Sequence, residues 1–408
     1  MTLLQRYLDI RQTSLDLVAP LRPEDMVIQS MPDASPARWH LAHTTWFFEH
    51  FLLSGEAGFQ PFREGWDYLF NSYYYSVGDM YKRPQRGLLS RPTVAEIVEY
   101  RQYVDQQMEE LIANNSGNGE FEFLLTLGLN HEQQHQELLL TDIKHAFSLN
   151  PLKPAYRDDI ELPGGTPSAI SFDEFDGGIV EIGSSGRGFC FDNETPRHQV
   201  LLNPFSLAVR QVSNVEYRAF IEDNGYRRPE LWLSAGWATI QEQQWERPVY
   251  WSQDLESEFS LLGEIDLDPD RSVCHLSYFE ADAYARWAGA RLPTEAEWEQ
   301  VAAAEPALAG NLLDNRRFHP GSAGADGRMA QLFGNTWEWT QSAYSAYPGF
   351  KPLAGSLGEY NGKFMYGQMV LRGGSCVTPA DHIRASYRNF FYPDARWQFS
   401  GLRLAKDA

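Results

Sequence analysis

The chain has 408 residues, 43% apolar and 22% charged, enough to bury a sizeable core over two or three domains without disulfide or metal staples. Its 34 Lys and Arg against 55 Asp and Glu leave a formal net charge of −21, which argues against a nucleic-acid partner. No apolar run approaches the roughly 20 residues a bilayer span needs, and no basic-then-apolar leader opens the chain. Leu3 to Val18 carries apolar residues at helical spacing (Leu4, Tyr7, Leu8, Ile10, Leu15, Val18) and is ended by Pro20 and Pro23. Ser35-Pro36 starts a second helix that runs through WHLAHTTWFFEHFLL to Gly55. Thr93-Val94-Ala95-Glu96 is a capping box that opens a third, ended by the polar break Asn114–Gly119. A fourth and longest helix is expected from about Glu120 to Ser148. Four amphipathic helices with one long, aromatic crossover (residues 54–92) predict an antiparallel four-helix bundle over residues 1–150.

After Asn150 the texture changes. Pro151, Pro154, Pro163, Gly164, Gly165 and Pro167 mark a linker over 151–170. Residues 171–408 then read as a loop-rich α+β domain. Short strands are expected at Ile179–Ile182, Val200–Leu202, Val370–Arg372 and Leu402–Leu404, and helices at Ser213–Asp223, Ser277–Gly289 and Glu295–Ala304. Cys190, Cys274 and Cys376 are three, widely spaced, and fit a reducing, cytoplasmic setting. Aromatic residues make up 14% of the chain, which implies a thick core or clefts lined with rings.

The sharpest local feature is His131-Glu132-Gln133-Gln134-His135 in the fourth helix. A spacing of four sets both imidazoles on one helix face, the bite a single metal ion needs. Two core histidines satisfied by hydrogen bonds would show the same pattern. The five residues also match H-E-x-x-H, in which Glu132 would be the general base of a zinc protease. The longer form of that motif asks for glycine and histidine where Leu138 and Thr141 stand. A third imidazole is available on the second helix, from His40, His43 or His50. At most one of them is needed, and the others are expected to be exposed or capping. Three neutral histidines leave open coordination positions, which suits zinc with water or ferrous iron with substrate and dioxygen. In the crossover, Asn71-Ser72-Tyr73-Tyr74-Tyr75 precedes Arg83-x-x-Arg86. Three consecutive tyrosines cannot all face one core, so at least one phenol should be exposed. A phenol can donate a proton, and the arginines can fork onto a carboxylate.

With these residues in view, the chain resembles the sulfoxide synthases of ergothioneine biosynthesis, non-haem iron enzymes that join a helical DinB-like domain to a formylglycine-generating-enzyme-like, C-type-lectin-like domain. The resemblance rests on Trp39–His43 (WHLAH), Phe70–Tyr74 (FNSYY), His131–Glu137 (HEQQHQE), Arg291–Glu299 (RLPTEAEWE), Gly334–Thr340 (GNTWEWT), Leu371–Ser375 (LRGGS), Tyr387–Phe391 (YRNFF) and Phe399–Ala405 (FSGLRLA). Eight motifs in order cover nearly the whole chain.

The resemblance implies that His43, His131 and His135 hold Fe(II) as a facial triad. It implies that Gln134 contacts the imidazole-bearing substrate, and that Asn389, Phe390 and Phe391 line the pocket for its trimethylammonium group, whose natural partners are ring faces. Tyr73 and Tyr74 resemble the active-site tyrosines of one branch, where a phenol beside the iron controls proton delivery. Arg83, Arg86 and Arg396 are the candidates for the sulfur donor's carboxylate. Only Cys376 falls where formylglycine-generating enzymes carry a copper-binding cysteine pair, so copper chemistry is not expected. The γ-glutamylcysteine branch would show Asn-Trp-Asp where Asn389-Phe390-Phe391 stands, which favours free cysteine. The expected reaction joins cysteine to the imidazole C2 of Nα-trimethylhistidine (hercynine) with dioxygen. The alternatives are a sibling using γ-glutamylcysteine, histidine or a selenium donor, a zinc-dependent thiol transferase, and a lectin-like binding module with a structural metal.

Overall fold

The helical spacing of the N-terminal third materialises as α1 (Leu3–Val18), α2 (Ala37–Phe48), α4 (Val94–Asn114) and α5 (Gly119–Leu149), with the short α3 (Trp66–Phe70) inside the crossover. They are seen in a computed structural model of the chain, which describes residues 1–165, 169–305, 308–324 and 329–408; Pro167 of the expected linker lies outside the described residues. The chain divides into two units, Met1–Tyr156 with Pro352–Tyr360, and Arg157–Lys351 with Asn361–Ala408. Residues 352–360, which the sequence leaves in the C-terminal domain, thus group with the helices.

In the first unit, α1, α2, α4 and α5 form a four-helix bundle in which α2 packs on α4 and α5, and α1 on α5 and α4. The capping box at Thr93 and Glu96 is present, and Thr2 and Asn118 cap α1 and α5 through their side chains. Every residue of α2 is buried, although it carries Arg38, His40, His43, Thr44 and Thr45. A polar helix so placed needs internal partners for each of these groups. Its last turn widens into a π-helical turn at Glu49–Leu53. Opposite it, a Cβ on Gly128 would come within 2.7 Å of the Phe48 ring and 2.8 Å of the Phe47 ring, so the approach of α5 to α2 requires glycine there.

The second unit is an α+β fold of short elements. A four-stranded sheet runs in the order Asn389–Phe391, Met369–Arg372, Trp337–Ala343, Ser400–Gly401. The hairpin Gly178–Ile182 with His198–Leu202 and the helices Asn214–Glu222, Tyr278–Trp287 and Glu295–Ala304 form where their patterns predict. Leu402–Leu404 is not a strand. Its carbonyls at Leu402 and Leu404 accept from Val212 and Ala208, while Arg403 turns inward to pair with Glu338 at 2.8 Å, both side chains fully enclosed. The helix Ser234–Gln243 carries no side-chain N-cap and an internal Gly236, which is why its sequence gives no start signal. Among the described residues no helix is long and apolar enough to cross a membrane.

The interior of the bundle is organised by one acid. Glu132, 0% exposed, accepts from Arg11 at 2.9 Å, from the Ser14 hydroxyl at 2.6 Å and from Arg101. Arg11 also binds Asp105 at 2.6 Å, which accepts from Tyr7 at 2.6 Å. Burial opposes ionisation of Glu132, yet the Arg101 and Arg11 guanidiniums overcome it and hold the carboxyl down at about 2. A carboxylate so committed cannot activate a water, so the zinc-protease role of Glu132 is excluded on geometry. Removing one member of a buried, hydrogen-bonded charge set costs about 3–5 kcal/mol. Glu132→Gln is therefore expected to destabilise the helical unit by about 3–5 kcal/mol and so to lower its denaturation midpoint. Guanidinium titration followed by helical circular dichroism is the check, and a midpoint equal to the parent's would contradict it.

Candidate metal centre

Three imidazoles converge in the bundle core. His131 and His135 stand one turn apart on α5, and His43 projects from α2; one ligand atom of each lies within 4.8 Å of the others. The ring pairs His43–His131, His43–His135 and His131–His135 have centroids 4.9, 4.7 and 4.7 Å apart. His43 Nδ1 donates to the Phe70 carbonyl at the end of α3 at 2.5 Å, which leaves Nε2 as a bare acceptor. That Nε2 and both ring nitrogens of His131 are buried without a hydrogen-bond partner. Burial pushes the His131 imidazole down to about 3. His43 and His135 are likewise pushed well down, by burial and then by the neighbouring imidazoles. Enclosed neutral imidazoles with bare nitrogens cost stability unless something takes their lone pairs. A divalent transition metal is the group that these atoms fit.

His40 and His50 take different places from each other. His50 is part-exposed and faces Asp67 at 3.2 Å. His40, expected to be exposed or capping, is instead 3% exposed. Its Nδ1 lies 2.8 Å from His135 Nδ1 and its Nε2 3.0 Å from Asp142 Oδ2. Asp142 on α5 supplies the polar partner that draws this ring inward.

Tyr73 lies beside the histidines, its ring 6.4 Å from that of His43 and 4.7 Å from Tyr74. Burial pushes the Tyr73 phenol up, while the neighbouring Tyr74 and Tyr360 phenols oppose the shift. Tyr74 is fully buried among Trp46, Phe51 and Tyr73, and Tyr75 is exposed. The loop is pinned by Glu359, which accepts from the backbone N–H groups of Tyr75 and Ser76 at 3.0 and 2.9 Å. The next residue, Tyr360, donates to Gln134 Oε1 and sets its ring 5.6 Å from His131 and 5.9 Å from Tyr73. Sequence reasoning missed Tyr360. It arrives from the segment 352–360, where no local pattern signals a site.

Arg86 is 2% exposed and lies 3.3 Å from the centre of the Trp39 ring, whose plane also stacks on His43 at 4.6 Å. Its guanidinium donates to the hydroxyls of Ser35 and Ser72 at 2.9 and 3.0 Å, not to a carboxylate. Burial, reinforced by Arg83, pushes it well down. Arg83 is exposed and donates to the Asp33 carbonyl.

The remaining candidates belong to the second unit. Asn389–Phe391 is an edge strand paired with Met369–Leu371. Phe390 stacks on Tyr344 at 3.9 Å, and Asn389 Oδ1 accepts from the Phe390 N–H at 2.9 Å. Arg396 is buried and engaged by Glu280 at 2.9 Å, by the Arg247 carbonyl and by the Trp245 ring.

Comparison with known proteins agrees with this layout. Residues 6–139 match the DinB superfamily, and residues 174–328 and 327–408 match the sulfatase-modifying factor enzyme 1-like domain. The chain is 32% identical to the hercynine oxygenase of Mycolicibacterium thermoresistibile over 99% of its own length and 94% of the relative's. It is 31% identical to that of Mycobacterium tuberculosis, over 94% and 93%. It is 36% identical to that of Mycolicibacterium smegmatis, over 70% and 72%.

If the three imidazoles are the ligand set, His43→Ala removes one of three protein donors from the bundle. Stoichiometric uptake of a divalent transition metal by the apoprotein is then expected to be lost while the helical signal persists. Metal analysis after anaerobic reconstitution and desalting reads the result; full retention would remove His43 from the ligand set.

Proposed function

The chain belongs to the hercynine oxygenase family, and on that premise we propose that it joins the sulfur of free cysteine to the imidazole C2 of hercynine with ferrous iron and dioxygen. The protein is an oxygenase. In the reaction proposed, the C2–H and S–H bonds break, a C–S and an S–O bond form, and the second oxygen atom leaves as water. The product is hercynylcysteine sulfoxide. The observation that carries the reading is the set of bare imidazole nitrogens on His43 and His131, grouped with His135 and flanked by the Tyr73 phenol.

His43, His131 and His135 would hold the iron. When bound, it supplies the redox chemistry with dioxygen and lowers the pKa of a coordinated thiol. The remaining work falls to this chain's side chains. Tyr73, kept protonated by its raised pKa, holds a proton at its hydroxyl next to the ligand set and delivers it during coupling. Tyr74 and Tyr360 flank its ring at 4.7 and 5.9 Å. Gln134, steadied by Tyr360, presents its amide to the hercynine imidazole. Arg86, a buried cation whose hydrogen bonds end on two serine hydroxyls, receives the cysteine carboxylate, with Arg83 behind it. Asn389, Phe390 and Phe391 are assigned the trimethylammonium group, whose methyls carry no strong hydrogen-bond donor.

Oxygen uptake after anaerobic reconstitution with ferrous iron is the central test, with hercynine plus cysteine or γ-glutamylcysteine and mass spectrometry of the product. Hercynine-dependent uptake with cysteine is expected. Uptake with neither thiol, or equal activity with zinc, would sink the reading. Tyr73→Phe is expected to lower coupled product by about 10²–10⁴-fold, the usual weight of a positioned proton donor, and to divert oxygen consumption to oxidation of the thiol alone. Unchanged partition between coupled product and oxidised thiol would take the proton-donor role away from Tyr73.

A further inference from the structure

His40 is not needed as a ligand, yet it is buried between a ligand and an acid. Its position is set by three contacts: Nδ1 to His135 Nδ1 at 2.8 Å, Nε2 to Asp142 Oδ2 at 3.0 Å, and the same Oδ2 accepting the Ser35 N–H at 2.7 Å. The order of donors along this row follows from what each atom can do. A carboxylate only accepts, so His40 Nε2 must carry the proton facing Asp142. An imidazole with one ring proton then offers Nδ1 as an acceptor. His135 Nδ1 must therefore be the donor of the next bond, and its own single proton is used there. What is left on His135 is the Nε2 lone pair, the form in which a metal takes an imidazole.

We infer that Asp142 and His40 form a positioning row that fixes the ring proton of His135 on Nδ1 and so presents Nε2 to the metal; this rests on His43, His131 and His135 being the ligand set. A metal-bound histidine commonly gives its second nitrogen directly to a carboxylate or a carbonyl. His43 does this with the Phe70 carbonyl. For His135 the nearest such group in the row is one imidazole further away, and His40 transmits its polarity. The sequence places the row: His135 and Asp142 are two turns apart on α5, and His40 lies three residues before His43 on α2. The same helix pair that brings the ligands together thus brings their support.

The test uses the full-length apoprotein and cobalt(II) as the probe. Dissociation constants are measured by competition with a chromophoric chelator, alongside the ligand-field spectrum and the melting temperature of the metal-free protein. His40→Phe keeps a buried ring but removes the acceptor. It should weaken cobalt binding by about 10–100-fold, the range seen when a ligand's outer partner is lost, and shift the visible bands; the metal-free melting temperature falls in this variant and in His40→Asn alike, since Asp142 loses its buried imidazole partner in both. His40→Asn returns an oxygen acceptor near the former Nδ1 and should recover most of the affinity. Parent-like binding by His40→Phe, parent-like visible bands in that variant, or failure of His40→Asn to bind more tightly than His40→Phe at a similar metal-free melting temperature would each overturn the inference. A parent protein that binds no cobalt would overturn the ligand assignment and this inference with it, an outcome distinct from the variants alone behaving like the parent.

Discussion

The clamp on Glu132 is the constraint on which the helical unit turns. Glu132 follows His131 by one residue, roughly 100° around the axis of α5. Arg11 from α1 and Arg101 from α4 hold that carboxylate, and so fix the rotation of a 31-residue helix. With Glu132 held on one side, His131 and His135 face α2 on the other. Gly128, earlier on the same helix, lets α5 come close enough to the Phe47 and Phe48 rings for that face to meet His43. A structural charge network thus aims a cluster of three imidazoles that contains no charge of its own.

The second organising element is the short segment that carries Glu359 and Tyr360. Glu359 holds the backbone just after the tyrosine pair, while Tyr360 reaches Gln134 and sets its ring near His131. Tyr73 is therefore positioned from two directions, by the crossover that bears it and by residues almost three hundred positions later in the chain. The Trp39 ring does similar work on the other flank, with Arg86 against it and His43 stacked on it.

Much of this was legible in the residues. The spacing of His131 and His135 is a property of the helix itself and needs no tertiary information, as are the capping box at Thr93 and the helical periods that define the bundle. The choice among His40, His43 and His50 was not legible, because all three lie on α2 and the π-helical turn that continues it, and only their tertiary partners separate them. His40 is the instructive case: a polar partner two helical turns beyond His135 turned an expected surface residue into a buried one. Glu132 shows the converse, a motif match whose chemistry is cancelled by two arginines far away in sequence. Tyr360 lies in a segment with no periodic pattern, and its place depends entirely on the fold. Leu402–Leu404 reads as a strand by composition, but its backbone bonds are taken by neighbouring segments and Arg403 turns into the core.

Electrostatics gives the histidine cluster one more property. Among the described residues the cluster that could hold a metal is three imidazoles and no carboxylate. Two buried acids on the same helix are engaged elsewhere, Glu132 by arginines and Asp142 through His40. Neutral ligands leave the charge of a divalent ion undiminished at its open positions, and the buried Arg86 guanidinium adds to the same potential. In a medium of low effective dielectric such a potential discriminates strongly between an anion and its neutral conjugate acid. In a chain whose formal net charge is −21, a divalent ion held by these imidazoles would make a locally electropositive point inside the helical unit, one that favours an anionic ligand over its neutral conjugate acid.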